Sequence, residues 1–180
     1  MVTMNERIKH IIESFYSQNR NPKSFLTEDD VRCKLFAKLH SGLRGFRSVS
    51  VHAEVRWYGG NQNGRNKLKY RSDLVVIDKN DLQINDNIFP LPSKGYGFNR
   101  YYAIIEIKLR RPNDKNSDNK YKQIIQKDIN KLREIKERTS KYSNTINKKF
   151  FVIAFDKKRN KKLLYDLDIN DSVNWEDWNS

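Results

Sequence analysis

The stretch from 101 to 109 constrains the fold of this chain more than any other. It reads Tyr-Tyr-Ala-Ile-Ile-Glu-Ile-Lys-Leu, so seven of its nine residues are apolar or aromatic. Such a run is typical of a strand that is buried on both faces in the middle of a covered sheet. Glu106 and Lys108 interrupt it, and because they are two residues apart they point to the same side of the pleat. Burying an ionised carboxylate costs several kcal/mol unless a partner compensates it, so this pair needs a functional or a structural reason.

A second run with the same pattern lies upstream. Residues 71 to 78 read Arg-Ser-Asp-Leu-Val-Val-Ile-Asp, in which Asp73 precedes a series of apolar, mostly β-branched residues. This pattern predicts another buried strand. If the two strands are neighbours in one sheet, Asp73 and Glu106 come together.

The charge of the chain favours a polyanionic partner. Its 180 residues include 36 Lys and Arg against 22 Asp and Glu, a formal net charge of +14. Such an excess suits nucleic acid, or else an anionic membrane surface. No apolar run approaches the ~20 residues of a membrane span, and the N-terminus lacks the apolar core of a signal peptide. We therefore expect a soluble, cytoplasmic protein without a membrane segment, folded as a single domain over residues 1 to 180.

The cysteine and histidine content limits the kinds of metal site. Cys33 is the only cysteine, which excludes an intramolecular disulfide, and His10, His40 and His52 are scattered along the chain. Their positions do not match the ligand spacing of a zinc site. Any bound metal is therefore expected to take oxygen ligands.

At Ser72-Asp73 and Glu106-Ile107-Lys108 the sequence resembles the PD-(D/E)XK nuclease superfamily, the fold of many restriction endonucleases and Holliday junction resolvases. Ser72 stands where the family name has proline. The resemblance implies that Asp73, Glu106 and Lys108 are catalytic. It also implies that Asp73, Glu106 and the Ile107 carbonyl bind Mg²⁺, for which Mn²⁺ can substitute.

The order of predicted elements agrees with this resemblance. Periodicity and alternation predict a helix over 4–18, a helix capped by Thr27, strands over 48–57, 71–78 and 101–109, a helix over 120–139, a strand over 149–156 and an edge strand over 163–167. From 27 to 156 this is the α-β-β-β-α-β core of the superfamily. We predict an α/β fold with a central mixed sheet of four or more strands, flanked by helices.

The strand over 48–57 alternates strictly. The pattern predicts one buried face made of Val49, Val51, Ala53, Val55 and Trp57, and an opposite face that carries Glu54. A hairpin between this strand and the next could bring Glu54 close to Asp73. Pairing of Glu54 with a surface Lys or Arg is the alternative.

Two further acids have open roles. Glu28 lies in the first turn of its helix, where it suits the helix dipole, and the resemblance offers a second role as a metal ligand. Asp128 lies within an apolar stripe, four residues from Ile124 and from Leu132. It is expected to cap or to pair with a basic residue of the sheet, Lys108 included, and the resemblance offers a second role as a polar residue near the site.

Basic residues near the strands that carry Asp73 and Glu106 are candidates for nucleic-acid binding. They are Arg65, Lys67, Lys69 and Arg71 in a loop over 59–71, and Arg110 and Arg111 after the third strand. The loop is rich in glycine and asparagine, which let a backbone adapt to a duplex. Residues 79 to 100 form an insertion, with a small hairpin as one alternative.

We expect an Mg²⁺-dependent deoxyribonuclease, because carboxylate-held Mg²⁺ both activates water and offsets charge on a phosphodiester. Restriction-type endonuclease is the first choice because of the extra helix and the insertion. A Holliday junction resolvase or repair nuclease is the alternative. A homodimer is expected, since two sites related by a two-fold axis cut both strands of a duplex most simply.

Two hypotheses without catalysis stay open. One is an inactive nuclease-like protein that only binds nucleic acid, although its usual mark, a broken motif, is lacking. The other is a basic scaffold protein, for example one that binds RNA, in which the charges are structural and Glu106 forms a buried salt bridge with Lys108.

Overall fold

The structure, a computed structural model, describes residues 2–19, 24–59, 67–81, 101–140, 148–170 and 172–177. The side chains of 56–59, 67–69, 81 and 138–140 are not part of this description. The predicted hairpin within 79–100 falls mostly outside these residues, as does Arg65. The prediction of a single domain over 1–180 stays a prediction.

The first two helices begin at threonine caps. Helix α1 spans Met4–Gln18 and helix α2 spans Glu28–Gly42. Thr3 and Thr27 each accept a hydrogen bond from the backbone N–H three residues on, and the Glu6 and Asp30 carboxylates each accept one from the backbone N–H of the cap residue, so both are capping boxes. The sequence-based prediction of Thr27 as an N-cap is confirmed, and the cap places Glu28 at the first position of α2.

Within the described residues the sheet has six strands in sequential order. They are β1 (Val49–Gly59), β2 (Lys67–Asp78), β3 (Tyr101–Arg110), β4 (Lys149–Asp156), β5 (Lys161–Asp166) and β6 (Glu176–Asp177). Only the β3–β4 pair of this described sheet is parallel, and helix α3 (Asp118–Ser140) connects these two strands. The α/β class and the helix-flanked mixed sheet are confirmed.

Apolar side chains cover both faces of the sheet. On one face, α1 and α2 pack against residues such as Val76, Ile105 and Phe151. On the other face, α3 packs against residues such as Ile104 and Val152. Strand β3 is therefore buried on both sides, as its continuous apolar run predicts.

Strand β1 departs from the strict alternation that its sequence predicts. Val51 joins the core beside α1 and α2, Val55 joins the core beside α3, and Ala53 is exposed. Between them Glu54 has a φ of 58°, in the left-handed region. This turn of the backbone moves the residues after it to the opposite face, so the prediction of one shared buried face was wrong.

Two element boundaries also differ from the sequence-based prediction. Strand β2 begins at Lys67, so residues 67 to 71 belong to a strand paired with β1, rather than to a loop. The two residues of β6 pair with β5 and come from the C-terminal segment to which the sequence assigned no element. None of the helices described is both long enough and apolar enough to cross a membrane.

Candidate active site

Strands β2 and β3 separate next to Asp73. Their described pairing runs from Ile77 with Tyr101 to Leu74 with Ile105. One residue further along β2, Asp73 Oδ2 accepts a hydrogen bond of 2.7 Å from the backbone N–H of Ile107. The two acid-bearing strands are thus neighbours, as predicted, and Asp73 contacts the backbone of the Glu106-Ile107-Lys108 motif itself.

Glu106 is a buried carboxylate with a cationic partner. Its side chain is 1% exposed, and Lys131 of α3 donates to Oε2 at 2.5 Å. The other oxygen, Oε1, is buried and makes no hydrogen bond to the described residues. Burial raises the pKa of Glu106 to about 8, against the opposing effect of the Lys131 ammonium. The carboxyl group is therefore easily neutralised, and one of its oxygens lacks a hydrogen-bond partner among the described residues.

Lys108 lies among three carboxylates. Its Nζ is 3.3 Å from Glu28 Oε1, 3.4 Å from Asp128 Oδ2 and 3.9 Å from Asp73 Oδ2. It also donates to the Ile107 carbonyl at 2.8 Å. Burial lowers the pKa of Lys108, but these carboxylates together raise it above its ordinary value. The side chain is therefore held as an ammonium, and the predicted structural pair with Glu106 is replaced by separate partners for each.

Glu28 reaches the site from the start of α2. Besides its contact with Lys108, its Oε2 accepts a hydrogen bond of 3.2 Å from the N–H of Leu109. Burial raises the pKa of Glu28, and Lys108 opposes that effect. The structure brings Glu28 beside the predicted triad, while its role as a metal ligand stays a prediction.

Helix α3 contributes two side chains to the site. Asp128 contacts Lys108, as its place in the apolar stripe predicts. Its Oδ1 lies 3.6 Å from Lys131 Nζ. Lys131 also donates to the Arg71 carbonyl at 3.0 Å. Sequence reasoning missed Lys131. Its position three residues after Asp128, on the same helix face, is the signal that could have found it.

Arginines link Glu54 to the site. Arg32 of α2 forms ion pairs with Glu54 and Asp29, and its Nη1 is 3.7 Å from Asp73 Oδ1. Arg71 donates from Nε to Glu54 Oε2 at 2.7 Å, and its side chain is 62% exposed. Glu54 thus pairs with basic residues, which was the alternative to a direct approach to Asp73. Arg32 carried no signal in the sequence.

The donor atoms of the site suit a hard cation only in part. Asp73 and Glu106 offer carboxylate oxygens, and the buried, unpartnered Oε1 of Glu106 matches the ligand chemistry of Mg²⁺. However, the Ile107 carbonyl accepts from Lys108, and the described residues contain no group of three acids, histidines or cysteines arranged as a metal cage. These residues fit a cation that keeps several waters and takes one or two carboxylates.

Arg110 is engaged in hydrogen bonds inside the protein. Its side chain is fully buried, and Nη1 donates to Asp118 at 2.8 Å and to Asp156 at 3.0 Å. Nη2 donates to the Asn116 carbonyl at 2.6 Å. The guanidinium is held by partners within the protein and is not exposed at the surface, so the prediction of a contact with nucleic-acid backbone at the surface was wrong for Arg110. Arg111 is exposed.

The remaining predicted contacts are only partly described. Arg71 is exposed at the edge of the site, beside Glu54. Lys67 and Lys69 lie on β2, with side chains outside the description, and Arg65 lies outside it altogether. Their roles stay predictions.

Comparison with known proteins gives little beyond this geometry. No family model matches the sequence, and no curated protein matches it. The chain is similar to a solved structure from Anabaena variabilis, described as a "putative nuclease belonging to DUF820", with 14% identity and a TM-score of 0.36. The similarity covers 81% of this chain and 64% of that one, so this chain spans less than two thirds of that protein. A likeness at this TM-score does not establish a shared function.

Proposed function

We propose that this protein is an Mg²⁺-dependent nuclease that hydrolyses phosphodiester bonds of DNA. The observation that carries the proposal is the meeting of Asp73, Glu106 and Lys108 where β2 and β3 separate. Two acids from adjacent strands and an ammonium within 3.9 Å of one of them are the groups that the chemistry requires. The net charge of +14 supports a polyanionic substrate.

Asp73 and Glu106 would hold the metal, with the Ile107 carbonyl as a third ligand. Mg²⁺ supplies a water activated near neutral pH and positive charge beside the phosphoryl oxygens. Glu28 is the further acid within reach, through its contact with Lys108. Mn²⁺ would substitute, since it also accepts carboxylate, carbonyl and water ligands.

Lys108 would act as a cation rather than as a base. An ammonium surrounded by Asp128, Glu28 and Asp73 keeps its proton, so it can donate hydrogen bonds to a phosphate oxygen or orient the attacking water. From α3, Asp128 would position Lys108 and Lys131 would position Glu106. Lys131 offsets the charge of Glu106.

Basic residues beside the site would hold the nucleic-acid backbone. Arg71 and Arg111 are exposed, and Arg65, Lys67 and Lys69 belong to the same basic stretch of sequence as Arg71. Contacts of this kind bind phosphates without reading sequence. These contacts therefore do not identify the nucleic acid that is bound. The proposal of DNA as the substrate rests on the residues of the site.

Among DNA nucleases, a restriction-type endonuclease acting as a homodimer is the first choice, because the sequence has an extra helix, α1, and an insertion over 79–100 beyond the α-β-β-β-α-β order. A Holliday junction resolvase or a repair nuclease is the second. A panel of linear, nicked, branched and single-stranded DNA, with RNA as a further substrate, separates these. Light scattering that gives a monomer with and without DNA would contradict the homodimer and favour nicking or single-strand cleavage.

The proposal is tested first with supercoiled plasmid in Mg²⁺, in Mn²⁺ and in EDTA. We expect conversion to nicked or linear DNA with either metal and none in EDTA. Binding of DNA without cleavage in both metals, across the substrate panel, would instead support the catalytically inactive, nucleic-acid-binding alternative.

A further inference from the structure

A second cavity lies further along β3 from the candidate active site. It has a volume of about 390 Å³ and lies at the carboxyl ends of the parallel strands β3 and β4, beside the first turn of α3. Such ends are the usual ligand position in sheets with parallel strands. Small-molecule sites range from about 300 to 1,000 Å³, so a ligand of nucleotide size can enter.

The lining of this cavity is mostly basic. Arg110, Lys122, Arg159 and Lys161 line it together with the acids Asp118 and Asp156. Both acids are already engaged, because Arg110 Nη1 contacts each of them and Arg159 Nε donates to Asp118 at 2.8 Å. Lys161 also lies 4.0 Å from Asp177, which is outside the lining. Within the lining the four basic residues exceed the two acids, so the lining itself has an excess of positive charge.

The guanidinium of Arg110 has a donor to spare. Nη1 and Nη2 make the hydrogen bonds given above, but Nε is buried and has no hydrogen-bond partner among the described residues. Buried donors in folded proteins almost always have a partner. Because Nε is buried, an oxygen acceptor in the cavity reaches it only if the Arg110 side chain moves.

Two aromatic rings form the apolar part of the lining. The ring centroids of Tyr121 and Trp175 are 5.8 Å apart, with the rings inclined at 43°. The Tyr121 hydroxyl donates to the Phe155 carbonyl at 3.4 Å, so the polar end of this side chain is engaged inside the protein. Nucleic-acid bases stack on aromatic side chains whatever their sequence.

We propose that this cavity binds one nucleotide, its phosphate against the exposed basic residues of the lining and its base against Trp175. Glu106, Lys108 and Arg110 alternate along β3 on the side that faces α3. Arg110 is two residues beyond Lys108, about 7 Å along the strand, and DNA rises about 3.4 Å per nucleotide. The bound nucleotide is then one or two positions from the cleaved bond, a placement that rests on the proposed nuclease function.

The test is calorimetric titration with deoxyadenosine 5′-monophosphate in EDTA at low salt. Lys122→Glu introduces negative charge into the lining, and Trp175→Ala removes the stacking ring. Lys127→Glu is the matched control, since Lys127 is also exposed on α3 but does not line the cavity. We expect at least tenfold weaker binding for Lys122→Glu and for Trp175→Ala, and less than twofold for Lys127→Glu. Deoxyadenosine alone and inorganic phosphate alone should each bind more weakly than the nucleotide.

Equal weakening by Lys122→Glu and Lys127→Glu would overturn the site, as would the absence of heat with the nucleotide at millimolar concentration. Should Trp175→Ala fail to fold by circular dichroism, Lys122→Glu and its control decide the matter alone. Plasmid cleavage without nucleotide binding refutes the cavity and leaves the nuclease. Nucleotide binding without cleavage on the whole substrate panel refutes the nuclease and leaves a nucleotide site.

Discussion

Asp73 Oδ2 accepts the backbone N–H of Ile107 at 2.7 Å, at the point where the pairing of β2 with β3 has ended. A side-chain carboxylate thus serves where a strand partner's carbonyl would serve in a continuous ladder. The bond ties the acid of one strand to the motif of the next.

Loss of either acid should stop Mg²⁺-dependent cleavage. Asp73→Asn and Glu106→Gln keep the side-chain shape and remove the charge that would hold the metal, so cleavage should fall on the order of 10²-fold or more. DNA binding, measured by anisotropy, should survive because the basic surface is intact. Glu13→Gln on α1 is the control, since Glu13 forms an ion pair with Lys9 of the same helix. Unchanged cleavage by Asp73→Asn would contradict the assignment of Asp73 as a metal ligand.

Lys108→Met should lower the cleavage rate on the order of 10²-fold with little change in metal affinity, because the ammonium is proposed to act on the phosphate or the water. Plasmid cleavage gives the first quantity and calorimetry with Mn²⁺ the second. Lys38→Met on α2 is the control for loss of a lysine. A large change in metal binding by Lys108→Met would instead make Lys108 a structural partner of the acids.

The Lys131 and Glu106 pair should show energetic coupling in stability. Lys131→Met leaves the buried Glu106 carboxylate without its ammonium and should destabilise the fold in urea unfolding at pH 9, above the Glu106 pKa of about 8. The same change should cost less when Glu106→Gln has removed the charge, with a coupling of roughly 0.5 to 3 kcal/mol. Lys131→Met with Asp177→Asn, far along the chain at β6, should be additive. Additivity in the Glu106 cycle as well would show that the pair contributes nothing specific.

The stability of the fold at acid pH should depend on the ionisation of Asp118. Hydrogen bonds from Arg159 and Arg110 lower the pKa of Asp118 from 3.8 to about 2. A carboxylate with a lowered pKa stabilises the folded state above its unfolded value and loses that effect as pH falls through the folded value. The melting temperature of the wild type should exceed that of Asp118→Asn at pH 5, and the difference should shrink between pH 4 and pH 2. A difference that is constant with pH would contradict the lowered pKa.

The salt dependence of DNA binding should report on the basic stretch before Asp73. Each phosphate contact steepens the fall of log K with log salt by about 0.9, so replacing Arg65, Lys67 and Lys69 with Ala should flatten the slope by about two to three units. Anisotropy across a salt series in the Asp73→Asn background gives the slope without cleavage. Replacement of Lys9, Lys34 and Lys38, on α1 and α2, is the matched control. A slope equal to that of the control would mean that DNA runs elsewhere, with Arg111 as the next candidate.

Periodicity was enough to predict the helices and the central strands, because buried strands and amphipathic helices carry their own residue patterns. The prediction that Asp73 and Glu106 lie on neighbouring strands followed from the same patterns and from the family resemblance. Glu54 shows where such reasoning fails. A positive φ in a glutamate leaves no trace in hydrophobic alternation, so the change of face within β1 could not be read from the sequence.

The predictions for the charged residues were correct only in part, for a related reason. Arg110 and Arg111 are adjacent basic residues at the end of a strand, and composition treats them alike. Only the pleat separates them, turning Arg110 inward to Asp118 and Asp156 and leaving Arg111 exposed. Lys131 needed the register of α3 against β3, which depends on tertiary packing and not on local pattern.

The backbone turn at Glu54 also bears on how the protein melts. Because β1 carries Val51 into the apolar layer beside α1 and α2, and Val55 into the layer beside α3, one strand anchors both layers. Neither layer can then be lost while β1 stays fully bound. The described core should therefore unfold as one cooperative unit, with equal calorimetric and van't Hoff enthalpies.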